Sequence, residues 1–232
     1  MGEIYSKLMR GKTTATSFKL PYTVEQARIM LYAACKAAVD RRGREFVASQ
    51  EYLKRLNEIA QWLTSDRETF GLLLCGNVGN GKTTLALALQ SLYFYVHSDM
   101  GFQERDGLRN PYFGYEVIPA KELVLLAKAY NNPTRDNAPS VQRYKRLRDT
   151  DIVCVDDLGT EPRESVQYGD FVTAAIDFMS YRYSNHYTTL ATSNLAPKEF
   201  SEYYDERLYD RFREMMKIIN FGNEPSYRKQ NK

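Results

Sequence analysis

The chain has 232 residues, 43% of them hydrophobic and 26% charged, and its 32 Lys and Arg against 29 Asp and Glu leave a net charge of +3. That balance suits one globular domain with a modest attachment, and it neither demands nor excludes a nucleic-acid partner. Eighteen tyrosines argue against disorder, two histidines are too few for a zinc cluster, three widely spaced cysteines (Cys35, Cys75, Cys154) read as small buried hydrophobes, and no apolar stretch is long enough to cross a membrane, so the expected location is the cytoplasm.

Residues 1–20 are polar and irregular. They contain GKTT at Gly11–Thr14, a tetrapeptide that recurs at Gly81–Thr84. Either copy could close a phosphate-binding loop, but such a loop needs an apolar strand before it, a second glycine five positions earlier, and a helix after it. At the first copy the earlier position is Ser6, MGEIYSKLMR is not an apolar strand and TATSFKLP is not a helix, so Gly11–Thr14 is read as a mobile segment. Val24–Asp40 is a predicted helix with Thr23 as N-cap, and RRGRE breaks it at Gly43. Arg41, Arg42 and Arg44 are read as a helix-end cluster. Ser49–Thr64 is a second helix, with Leu53, Leu56, Ile59 and Leu63 on one face. Residues 1–50 are therefore expected to form a short, partly flexible helical region ahead of a domain at 51–228 and a tail at 229–232.

The second copy satisfies every requirement. Phe70–Cys75 is a continuous apolar run of strand length, Gly76 and Gly81 stand at the spacing G-x-x-x-x-G-K-[ST], and Leu85, Ala86, Leu87, Ala88 and Leu89 open a strong helix. Backbone N–H groups from Gly76, Asn77, Val78, Gly79, Asn80 and Gly81 through Lys82, Thr83 and Thr84 are expected to wrap the β-phosphate. The Lys82 ammonium would reach the β/γ oxygens and the Thr83 hydroxyl would help hold Mg2+. Nothing in these residues distinguishes ATP from GTP.

Beyond the loop helix, 97–114 reads as a long loop, Tyr115–Pro119 as a short strand, Ala120–Tyr130 as a helix and Val141–Leu147 as a short basic helix. Ile152–Val155 is an apolar strand ending in Asp156 and Asp157, in the run DIVCVDDLGTE. Strands alternating with helices imply a parallel sheet with helices on both faces, and carboxylates at the C-terminal edge of such a sheet face the bound phosphates. Asp156 is the natural Mg2+ partner and Asp157 the general base for an attacking water, with Glu161 in reserve. Tyr168–Ser184 is a helix, Thr188–Thr192 a third strand, Phe200–Met216 mostly helical and Ile218–Phe221 a last strand. Thr192, Ser193 and Asn194 could reach the γ-phosphate side of the same edge, where Asn194 could orient a water. Arg143, Lys145, Arg146 and Arg148 in RYKRLRD, with Lys121, Lys128 and Arg135 upstream and Tyr130 and Tyr144 interleaved, have the cations and aromatics that single-strand binding uses; a solvated helix face has them too.

Three pieces in this order, GNVGNGKTTLA, VDDLGTE and ATSNLAPKEF, resemble the AAA+ ATPases of the DnaC helicase-loader and IstB transposition-ATPase group, with further agreement in DERLYDRFREM and GNEPSYR. The resemblance covers roughly residues 52–228 and implies an α/β P-loop NTPase of the ASCE/AAA+ type that uses ATP and Mg2+. It also implies self-assembly, as an oligomer or helical filament in the ATP state, around single-stranded DNA, with a replicative helicase or a transposase as protein partner. By the family's motifs, Lys82 and Thr83 belong to Walker A, Asp156 and Asp157 to Walker B, Asn194 is sensor 1, and Arg211 is the arginine finger of an R-x-x-x-R pair with Arg207. Walker B here ends in Asp-Asp rather than Asp-Glu; the shorter carboxylate reaches less far, which implies slow turnover.

Overall fold

Continuous apolar strands need cover on both faces, and the helices between them provide it. The computed structural model describes residues 19–66, 68–99, 115–160, 169–204, 206–222 and 226–227. Within them the chain runs α1 (Val24–Asp40), α2 (Gln50–Thr64), β1 (Gly71–Cys75), α3 (Lys82–Asp99), β2 (Glu116–Pro119), α4 (Ala120–Asn131), α5 (Ala138–Asp149), β3 (Ile152–Leu158), α6 (Gly169–Ser184), β4 (Thr188–Ser193), α7 (Glu199–Tyr203), α8 (Glu206–Met215) and β5 (Met216–Asn220). The first GKTT copy, most of the loop expected at 97–114, the reserve carboxylate Glu161 and, in GNEPSYR, Asn223, Glu224, Pro225 and Arg228 lie outside the described residues.

The described strands form one sheet in the order β2-β3-β4-β1-β5, with every neighbouring pair parallel. Successive side chains of a strand point to opposite faces, and the two cores follow that alternation. Leu72 and Leu74 of β1 join α1, α2 and α3 on one face. Leu73 and Cys75 join α4, α5, α6 and α8 on the other. The result is the three-layer parallel architecture of a P-loop NTPase, with β4 interposed between the strand that feeds the loop and the strand that carries the paired aspartates. That insertion is the ASCE arrangement, and the fold is of the AAA+ type.

Helix boundaries have local causes. Thr23 and Gln26 form a capping box at the start of α1, each side chain bonded to the other's backbone N–H (3.2 and 3.0 Å). Ser49 caps α2 through the Tyr52 N–H at 3.0 Å. Residue 50 does not separate two cores. Leu20, Ala27, Leu31, Cys35 and Ala38 are buried in the same cluster as α2 and α3, and the Leu20 N–H bonds to the Leu63 carbonyl at 2.7 Å. The helix expected within residues 1–50 is present as α1, and it is one of the layers covering the sheet. All three cysteines are buried and free, as expected of small hydrophobes.

Candidate active site

The C-terminal ends of three adjacent strands, β3, β4 and β1, meet at one edge of the sheet. β1 delivers the chain into the glycine loop, which turns into α3 at Lys82. Gly76, Gly79 and Gly81 hold positive φ angles of 122°, 89° and 86°, which only glycine adopts without strain. The loop is gripped from inside by its own side chains. Lys82 Nζ donates to the carbonyls of Gly76 (2.7 Å) and Asn77 (2.6 Å). The buried Asn80 amide, oriented by its partners, donates to the carbonyls of Asn77 (3.0 Å) and Val78 (3.1 Å). Carbonyls held by side-chain donors belong to the geometry of an anion-binding nest, but the Asn77 N–H, expected on the β-phosphate, is taken by the Gly222 carbonyl at 3.3 Å.

A second brace comes from the C-terminal segment. The Phe221 N–H bonds to the Cys75 carbonyl (2.7 Å), the Asn77 N–H to the Gly222 carbonyl (3.3 Å) and the Tyr227 N–H to the Gly79 carbonyl (3.1 Å). A Cβ on Gly79 would lie 2.0 Å from Ser226 Oγ, so this segment requires glycine there. Arg55 of α2 ties the same segment down, donating to the Asn220 carbonyl at 3.1 Å and covering the Phe221 ring.

The acidic side of the site is tied to the loop through two threonines. Thr83 Oγ1 donates to Asp156 Oδ1 at 2.9 Å, joining the start of α3 to the end of β3. Thr192, fully buried on β4, donates to the same Asp156 oxygen at 2.5 Å and accepts the Asp157 N–H at 2.9 Å. A register irregularity between Val155 and Leu158 accompanies these bonds, and Asp157 sits at φ 57°, left-handed and uncommon for a residue with a side chain. Thr160 fastens the bulge by donating from both its N–H and its hydroxyl to the Asp157 carbonyl (3.2 and 2.8 Å). The bulge sends Asp156 and Asp157 to the same cleft, whereas alternation in a regular strand would send them to opposite faces. Asn194 Nδ2 stands 3.4 Å from Asp157 Oδ1.

These groups line a cavity of about 470 Å3, within the range of small-molecule sites. Of the residues expected at a phosphate site, Val78, Gly79, Gly81, Lys82, Thr83, Thr84, Asp156, Asp157 and Asn194 line it, while Gly76, Asn77 and Asn80 do not. Thr192 and Ser193 do not line it either. Both are buried behind the cleft, Thr192 on the aspartates and Ser193 on the Leu158 carbonyl at 2.5 Å, which corrects the expectation that they approach a γ-phosphate. The spacing pattern missed the other wall, formed by Val39, Arg42, Arg44, Glu45, Phe46 and Val47 with Tyr52 and Tyr227. The one available signal was the extended stretch between the first two helices, whose arginines read as a helix end.

The residues fit a magnesium ion. Mg2+ takes hard oxygen donors, few of them from protein and the rest from phosphates and water, and the Thr83 hydroxyl and Asp156 carboxylate are such a pair. Among the described residues no cluster of three His, Cys, Asp or Glu forms an all-protein metal cage.

Two further expected sites look different in three dimensions. Arg211 donates from its guanidinium to the Ser180 hydroxyl and lies 5.4 Å from the Tyr183 ring centre, packed on α6 and outside the lining of its own cleft. Arg207 is exposed and lines a shallow depression with Glu206, Tyr209, Asp210 and Arg213. Three of the four cations in RYKRLRD pair with carboxylates, and Lys145 is exposed. Arg143 pairs with Glu116 (2.6 Å) and Glu122 (2.5 Å), Arg146 with Glu116 (3.0 Å) and Arg148 with Asp149 (3.0 Å). Tyr144 is buried against Phe178 and Tyr130. The stacking platform expected from the interleaved tyrosines is therefore half in the core.

Fold and cleft together have the architecture of a P-loop protein of the AAA+ type. Similar solved structures include the DnaC helicase loader, at a TM-score of 0.55 and 18% identity over 75% of this chain and 93% of that one. DnaI is similar at 0.54 and 18% identity, over 82% and 93%, and AMPPCP-bound DnaA from Aquifex aeolicus at 0.52 and 13% identity, over 79% and 50%. At such identities the likeness is one of fold. No protein-family model matches the sequence, and no curated protein does.

Proposed function

We propose that this chain is a cytoplasmic ATPase acting in DNA replication as a helicase-loader-like factor. The observation that carries this reading is the single cleft in which the glycine loop, the Thr83–Asp156 pair, Asp157 and Asn194 converge. ATP binds with its phosphates on the loop N–H groups and Lys82. Thr83 and Asp156 would hold Mg2+, which would supply charge neutralisation for the phosphates. Asp157 polarises the attacking water as general base and Asn194 orients it. The Asp157 carboxylate is short and its backbone is fixed by the bulge, so turnover is slow.

Among the described residues no arginine lines the Asp157–Asn194 side of the cleft, and Arg211 faces α6. Arg211 therefore acts in trans, reaching the γ-phosphate of a neighbouring subunit in an ATP-dependent oligomer or filament. The loader reading, with single-stranded DNA and a replicative helicase as partners, draws on the motif resemblance and on the shared fold with the DnaC helicase loader and DnaI, not on RYKRLRD. A transposase in place of the helicase would use the same site.

The test measures ATP hydrolysis with and without single-stranded DNA and candidate helicase, and mixes Arg211→Ala with Lys82→Ala. Each variant is inactive alone, while mixed assemblies pair an intact loop with an intact finger and regain activity. Stimulation by neither partner would remove the loader reading. Co-assembly without regained activity would remove the trans arginine.

A further inference from the structure

Hydrogen bonds order the cleft from one end to the other. Thr83 is tied to Asp156 on the β3 side. Thr84, one residue further along α3, is tied to the opposite side, where Arg42 Nη1 donates to Thr84 Oγ1 at 3.1 Å. From Arg42 the lining continues into the apolar residues Val39, Phe46 and Val47 and the rings of Tyr52 and Tyr227. A nucleoside triphosphate has the same order: a flat base at one end, the γ-phosphate at the other, and the α-phosphate between base and β-phosphate. With the γ-phosphate beside Asp157 and the base against the aromatic wall, the α-phosphate falls at Thr84 and Arg42.

Helix-end chemistry does not account for Arg42. Its neighbour Arg41 already serves the end of α1, donating to the Ala37 carbonyl at 3.2 Å and to Ser91 Oγ at 3.4 Å. Arg42 points the other way, onto Thr84, and both Arg42 and Arg44 line the cavity on either side of the left-handed Gly43 (φ 66°). A guanidinium is a rigid fork of donors suited to phosphate oxygens, and one bond to a hydroxyl fixes its direction.

We propose that Arg42 is a phosphate-binding residue supplied from the chain's own N-terminal helix: its guanidinium, held on the Thr84 hydroxyl, contacts the α-phosphate and thereby couples residues 39–47 to nucleotide occupancy. The proposal rests on the nucleotide reading of the cleft and assigns a ligand contact to a helix end outside every motif.

The test is calorimetric titration of the full chain with ATP and with ADP. Arg42→Ala weakens both nucleotides by the same factor, about 10- to 100-fold, the range for one hydrogen bond to a charged group. Arg42→Lys keeps the charge without the fork and loses less. Arg41→Ala binds as wild type does. Unchanged affinity in Arg42→Ala overturns the proposal, and so does a loss confined to ATP, which would put Arg42 on the γ-phosphate. If Arg42→Ala does not fold, wild-type affinity for both nucleotides in Arg42→Lys overturns it, and an equal loss for ATP and ADP supports it. A wild-type chain that binds neither nucleotide overturns the nucleotide reading itself.

Discussion

Thr192 offers a perturbation whose size can be worked out beforehand. Its hydroxyl donates to Asp156 and accepts the Asp157 N–H, and its side chain is fully buried. Thr192→Val keeps the shape and the β-branch that suits a strand, and removes only the hydroxyl. One charge-assisted bond is lost, worth ~1.5–3 kcal/mol, and the Asp157 N–H is left without its partner at a further ~1–3 kcal/mol. These losses overlap because the bulge relaxes, so about 3 kcal/mol is the expected destabilisation. For a chain of this size each kcal/mol lowers the melting temperature by about 2–4 °C, giving a drop of about 6–12 °C in thermal melts without nucleotide. Hydrolysis at saturating Mg·ATP should fall by about 10²-fold, the effect of a catalytic group misplaced by ~1 Å. Thr192→Ser keeps both bonds and should retain most of the activity. A Thr192→Val chain that melts within about 2 °C of wild type, less than one kcal/mol would shift it, and turns over normally would refute the view that the bulge is held from β4.

Lys82→Ala should abolish ATP binding, because the cation facing the β/γ oxygens is lost, while Lys12→Ala in the first GKTT copy should leave affinity unchanged; equal losses in a titration would show that the wrong loop was chosen. Arg182 is fully buried on α6 and donates to the carbonyls of Leu147, Arg148, Thr150, Asp151 and Thr188 and to Thr189 Oγ1. Burial pushes its guanidinium down to about 9, so it is still charged at neutral pH, and those acceptors balance the charge. Arg182→Met strands them and should cost about 3–5 kcal/mol in urea unfolding, the range for breaking a buried charged network; a loss under about 1 kcal/mol would contradict it.

Much of the architecture was legible because hydrophobic period and turn chemistry are local. The predicted helix at Val24–Asp40 has the observed bounds, and the strands at Phe70–Cys75 and Thr188–Thr192 are each off by one residue at one end. The loop and the paired aspartates were legible because phosphate chemistry dictates residue type and spacing. What was not legible depends on tertiary placement. Phe46 and Val47 carry no motif and Tyr227 stands in GNEPSYR without a chemical role, and they become a wall only because α1 lies against α3 and the C-terminal segment returns over Gly79. Arg182 belongs to no motif, and its burial follows from its helix face meeting the end of α5. In RYKRLRD the charges are visible in sequence, but Glu116, whose carboxylate faces two of its arginines, is 27 residues before Arg143.

The most direct test of the central claim, that this cleft binds Mg·ATP and hydrolyses it with Asp157 as the base, is Asp157→Asn measured for both affinity and turnover. The substitution keeps size and removes basicity. Mg·ATP should bind with wild-type affinity while hydrolysis falls by about 10²–10⁴-fold, the range for a lost general base. Hydrolysis at the wild-type rate with intact binding would contradict the claim and move the base to another carboxylate.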